Sequence, residues 1–160
     1  MEFNNMEKLG ILKTLLKEKY TAENIMRERC LKFTLWILGY LMGFFWLLLT
    51  SKYNFGLFTK ILLTLIVILT GYISFHFIHS IETGFKVNRK LIIKIEDLLN
   101  LYSKNTFIEG ESLYPKDYKK SIKKSTSFFI SLYLPLIFIH IILMLTIWRE
   151  LLTKSTKSFL

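Results

Sequence analysis

His76, His79 and Glu82 stand three residues apart. In a helix such steps put all three on roughly one side. Imidazoles and a carboxylate can hold Zn²⁺ or Fe, and imidazoles relay protons. For a metal the set from one chain is incomplete, because no further Cys or His lies close in sequence. The favoured reading places the two histidines at an interface or facing a water-filled vestibule. It pairs Glu82 with Lys86 one turn on. The chain has no Gly-rich phosphate loop, no Gly-x-Ser-x-Gly elbow and no His-Glu-x-x-His. It also lacks an Arg followed four to six residues later by His, the arrangement of one class of metal-free ribonucleases. These features argue against an enzyme and call for no cofactor.

The elements that must carry these residues are apolar. The 160 residues are 52% hydrophobic and 16% aromatic, more than the interior of a soluble domain of this size hides. Residues 33–50, 61–81 and 125–148 are free of charge. A helix crossing a hydrocarbon core needs roughly 20 apolar residues, so the chain reads as all-α, with three membrane spans at these positions. The second run passes into a charged helical pattern that continues to about Tyr102. It therefore predicts one long helix, a span with an amphipathic extension.

A net charge of +10 brings nucleic acid to mind, but its distribution favours orientation. Seven basic residues precede the first span, two lie between the first and second, ten between the second and third, and three follow. Lys and Arg collect on the cytoplasmic side. That puts the N-terminus and the second connection inside, and the 51–60 turn, a tight hairpin with Asn54 and Gly56, outside. The segments are then a cytoplasmic 1–30, a hairpin of two spans over 31–81, a cytoplasmic 82–124, a third span over 125–148 and a polar tail over 149–160. Cys30, the lone cysteine, excludes an intrachain disulfide and is expected as a reduced thiol.

Met6, Leu9, Leu12, Leu16 and Tyr20 recur at helical steps, an amphipathic helix for the membrane surface or for another cytoplasmic helix. Thr21 is placed to cap a second helix, with Glu23 in its first turn. Gly39 and Gly43 have the spacing that lets helices approach closely, although Gly is also common in membrane helices by chance. Trp36 and Trp46 suit the two ends of the first span.

On the extension, Phe85, Ile92, Ile95, Leu99 and Tyr102 share one stripe with Asn88 in its middle, while Arg89, Glu96 and Asp97 fall elsewhere. Asn88 either pairs between subunits and fixes register or bonds a neighbouring loop. The stripe needs cover, which a neighbouring subunit supplies better than the N-terminal helix. Residues 103–126 lack periodicity. Gly110 and Pro115 break helix there, with Phe107, Tyr114 and Tyr118 to pin the segment down. Lys116, Lys119, Lys120, Lys123 and Lys124 form a juxtamembrane cluster suited to lipid headgroups and topology, in preference to RNA.

The stretch His79-Ser-Ile-Glu82, followed by Val87-Asn-Arg-Lys90 and Ile95-Glu-Asp-Leu98, resembles the RipA family of octameric membrane proteins, as does Leu113-Tyr-Pro115 after the long helix. These are small bacterial inner-membrane proteins, and they include the membrane accessory protein encoded beside some RNA-guided Cas13b ribonucleases. The resemblance implies a ring of eight protomers, with membrane helices at one end and a cytoplasmic vestibule at the other. For the defence relative it implies a pore that compromises the membrane during phage infection. The expected function is thus a pore-like effector whose partners are copies of itself and lipid. The alternatives are a non-conducting scaffold that binds a cytoplasmic protein, and a metal-dependent membrane enzyme on His76, His79 and Glu82.

Overall fold

The computed structural model describes residues 5–50 and 55–149, with the backbone alone over 120–126. It is built of α1 (Asn5–Thr50), α2 (Leu57–Leu98), a two-stranded antiparallel hairpin of β1 (Lys104–Ile108) and β2 (Glu111–Ser112), a 3-10 turn at Lys116–Ser121, and α3 (Ile122–Ile147). Helices α1 and α2 and the Ser127–Ile147 part of α3 are each long and apolar enough to cross a membrane. Two compact units share them. The first takes residues 1–30 and 79–129, the second residues 31–78 and 130–160.

Helix α1 has no break at Thr21. The Thr21 hydroxyl donates to the Lys17 carbonyl at 3.0 Å instead of capping a new helix, and no Gly or Pro interrupts residues 11–38. Helix α2 begins earlier than expected, at Leu57, and ends earlier, at Leu98. Lys60, placed in the turn from sequence, lies in its first turn, its amide bonded to the Gly56 carbonyl, and it is buried. Residues 51–54 of that turn lie outside the described residues.

At its C-terminus α2 closes with Asn100 in the left-handed region (φ 56°). The Leu101 amide bonds the Glu96 carbonyl and the Asn100 amide that of Asp97, the Schellman arrangement that satisfies the last carbonyls. The segment after it, read from sequence as aperiodic, holds the hairpin. Gly110 (φ 81°) turns it, and its amide donates to Asn105 Oδ1 at 2.7 Å.

In the second unit each helix buries a narrow seam: Thr34, Leu41 and Leu48 on α1, Val67, Ser74 and Ile78 on α2, and Leu132, Leu136, Ile139 and Leu143 on α3. These steps of three, four and seven are the spacing of helices packed side by side. In the first unit the core holds Cys30, Phe85, Ile92, Tyr102 and Phe129. Phe85 meets Phe129 edge-on, with centroids 5.5 Å apart.

Candidate functional site

In the second unit, α2 carries Tyr72 and His76 on its outer side. Tyr72 is 68% exposed and His76 is exposed as well. Their rings lie parallel, centroids 6.1 Å apart, and among the described residues neither has a hydrogen-bond partner. Neighbouring polar residues behave differently. Thr70 donates to the Ile66 carbonyl at 2.9 Å, Ser74 to Thr70 at 2.7 Å and Thr146 to Ile142 at 2.8 Å. A short hydroxyl can fold back on its own helix in this way and needs no outside partner. The outward phenol and imidazole do not. Leu65 and Leu69, two turns and one turn before Tyr72 on this side, are exposed and apolar.

Inside the second unit, His140 Nδ1 lies 2.7 Å from the Leu136 carbonyl. A carbonyl only accepts, so Nδ1 carries a proton. Nε2 is buried without a hydrogen-bond partner among the described residues. The imidazole fits because Gly71 faces it. A Cβ at Gly71 would come 3.1–3.2 Å from the ring. Close by, Phe75 stacks on Tyr133 at 5.6 Å. Nearer the end of α3, Trp148 Nε1 donates to Thr64 Oγ1 at 3.0 Å.

The close approach of helices within this unit is thus at Gly71. The pair singled out from sequence, Gly39 and Gly43, has open space where a Cβ would stand. Gly39 lines an apolar hollow with Lys32, Leu35, Trp36 and Tyr40.

The first unit holds a buried polar network. Glu23 sits between two guanidinium groups, 3.6 Å from Arg89 and 3.9 Å from Arg27. Arg27 also lies over the Phe85 ring at 5.0 Å, within cation–π range. Glu96, 1% exposed, accepts hydrogen bonds from both the Tyr20 and Tyr102 hydroxyls. Burial, then the hydrogen bond to Glu96 and its negative charge, push both phenols well above the ordinary tyrosine value. Asn88 Nδ2 donates to the Lys19 carbonyl at 2.9 Å, so it bonds the N-terminal part of α1. Glu82 pairs with Lys86 at 2.6 Å, as their four-residue spacing predicts.

Several expectations change with this network. Phe85 and Ile92 are buried within the chain, and Ile95 and Leu99 are half-buried. Phe85 and Ile92 of the stripe are thus covered from inside the first unit, and Ile95 and Leu99 are covered in part. Arg89 and Glu96, placed off the stripe from sequence, are buried. Acid and base at seven-residue spacing facing Tyr20 and Glu23 was the signal available for them. On the N-terminal stripe Met6 and Leu9 are exposed.

Among the described residues no group of three or more His, Cys, Asp or Glu is placed to hold a metal ion, and His76, His79 and Glu82 are not brought together as one. Of the lysine cluster, Lys119 bonds Asp97 Oδ1 at 2.6 Å and lies over the Tyr102 ring, while Lys116 is exposed. The side chains of Lys120, Lys123 and Lys124 lie outside the described residues. Tyr114 packs against Tyr102 and Tyr118, whereas Phe107 is exposed and pins nothing. No known family, no curated protein and no solved structure matches the chain.

Proposed function

We propose that the chain is a multi-pass protein of the bacterial inner membrane, N-terminus in the cytoplasm. It assembles with copies of itself into a ring whose output is membrane permeability, in phage defence or stress response. Three helices with the length and hydropathy to span, together with basic residues concentrated before the first and between the second and third, support the placement. The assembly rests chiefly on Tyr72 and His76. They sit on the outside of an apolar unit where hydrocarbon offers no hydrogen bond, and polar groups so placed turn toward protein or water. The open Gly39 and Gly43 face is compatible with close packing of another helix. The ring is also what the resemblance to the RipA family implies. Because Phe85 and Ile92 of the α2 stripe are buried within the chain, the proposed association surface is the second unit rather than the extension.

The test is the mass of the detergent-solubilised particle by light scattering, followed by ion flux through liposomes containing it. A particle of about eight chains that passes ions agrees with the ring resembled. A single chain, or a ring that passes nothing, rejects the proposal.

A second reading, a scaffold for a cytoplasmic protein, is favoured by Val87, Leu91 and Leu98. They leave an exposed apolar line on the extension of α2, beside exposed Lys90 and Lys94. Leu91→Glu separates the two readings. It leaves flux unchanged if permeability is the function and abolishes partner capture if scaffolding is.

A further inference from the structure

The self-assembly proposed above leaves open which helix meets water, and we infer that it is the α2 side bearing Tyr72 and His76. On this reading these two side chains line an aqueous pathway enclosed by copies of the chain, and the solute they pass is a small hydrated ion.

Within the second unit the outward side of α3 is apolar and exposed at Ile130, Leu134, Ile137, Phe138, Ile141 and Leu145, with Ser131 the exposed polar exception, a surface that hydrocarbon largely satisfies. Much of α2 is like this too, through Leu62, Leu65 and Leu69. Tyr72 and His76 interrupt it one turn apart, with both rings outward and parallel. Among the described residues they are not bonded back as the other polar groups of this unit are. Thr70 and Ser74 spend their hydroxyls on their own helix, and His140 turns Nδ1 to Leu136. A packed protein interface would need a partner for each phenol and imidazole. Water supplies those hydrogen bonds without fixed geometry, so a lumen satisfies both groups at once. Between Ile61 and Ile81 the chain has no acidic or basic residue other than histidine. The lining therefore carries hydrogen-bonding groups rather than a ring of fixed charge, which suits passage of small ions of either sign.

The experiment is cysteine accessibility in the full-length protein reconstituted in liposomes. Cys30 is fully buried, so the parent should stay unlabelled by a charged, membrane-impermeant methanethiosulfonate. His76→Cys and Tyr72→Cys are compared with Leu134→Cys and Phe138→Cys. The thiolate is the reacting form and needs water to exist, so the α2 positions should react at least about tenfold faster than the α3 controls. Flux through the labelled His76→Cys protein should fall.

Equal, slow labelling at all four positions overturns the inference, because α2 would then face lipid. Unreactive α2 cysteines that instead form disulfide-linked dimers also overturn it, because the side would be a dry interface. Flux without α2 labelling sinks this inference and leaves the permeability reading standing. Labelling without flux does the reverse. If His76→Cys fails to assemble, Tyr72→Cys decides alone.

Discussion

The two units dispose of their polar side chains in opposite ways. In the first, Glu23, Arg89 and Glu96 are buried, and each is held by a group of opposite charge or by a hydroxyl donor. In the second, the outward polar groups Tyr72 and His76 have no hydrogen-bond partner among the described residues, while the buried Ser74 is bonded to its own helix. A buried charge without a partner costs several kcal/mol, so the first unit has to be complete in itself. An outward phenol or imidazole on an apolar helix is unsatisfied only until something wet or polar meets it. The buried polar groups of the first unit are therefore satisfied within it, and the outward pair of the second unit is not.

The sharpest way to break this contrast is to remove Arg89. Arg89→Met leaves Glu23 buried beside Arg27 alone, at 3.9 Å and with Arg27 half-exposed. Losing one partner of a buried pair costs about 3–5 kcal/mol. Tyrosine near-UV signal, which includes four tyrosines of the first unit, should show a strongly lowered melting temperature. All three tryptophans lie in the second unit, so tryptophan fluorescence shows whether that unit melts with it. A change below about 0.5 kcal/mol would mean that the network is ornamental to the first unit.

Gly71→Ala tests the second unit in the same spirit with a smaller effect. Its methyl would stand 3.1–3.2 Å from the His140 ring, so the ring must give way by a few tenths of an ångström. Overpacking of this kind costs about 1–3 kcal/mol. Gly39→Ala and Gly43→Ala meet open space and should leave the stability of the single chain unchanged. A Gly71→Ala protein as stable as the parent in thermal melts, or Gly39→Ala as costly as Gly71→Ala in the monomer, would contradict the packing.

Much of this was legible in the sequence, and the rest failed for identifiable reasons. Charge-free runs of about twenty residues mark three long helices whatever their partners, because length against bilayer thickness depends on composition alone. The unbroken α2 followed from the absence of Pro. Its exit at Asn100 was marked by a residue that adopts the left-handed region readily. Thr21 misled because the same hydroxyl that caps a helix can bond back inside one, and only the flanking backbone decides which. The hairpin was hidden because β1 is exposed along its whole length and so has no alternation to read. The α2 stripe showed that a face is buried but not what buries it. That is why Phe85, Asn88 and Ile92 suggested a neighbour when α1 was the answer for Asn88. The outward pair Tyr72 and His76 was visible only in part, since His76 was noticed for its spacing to His79 and Tyr72 not at all.

The smallest effect sharpens the contrast by spectroscopy, with no loss of stability at neutral pH. The Tyr20 and Tyr102 phenols lie above the ordinary value of 10.0. The folded state therefore holds their protons after the unfolded chain has released them. The stabilisation is fully present below pH 10 and is lost as the pH rises further. Absorbance of tyrosinate should show a late fraction that ionises only as the first unit unfolds. Tyr20→Phe and Tyr102→Phe should each remove part of that late fraction. If every tyrosine ionised together near pH 10 while tyrosine circular dichroism still reported a folded first unit, Glu96 would not be accepting from two phenols. The division between an inward-satisfied unit and an outward-seeking one would then lose its strongest support.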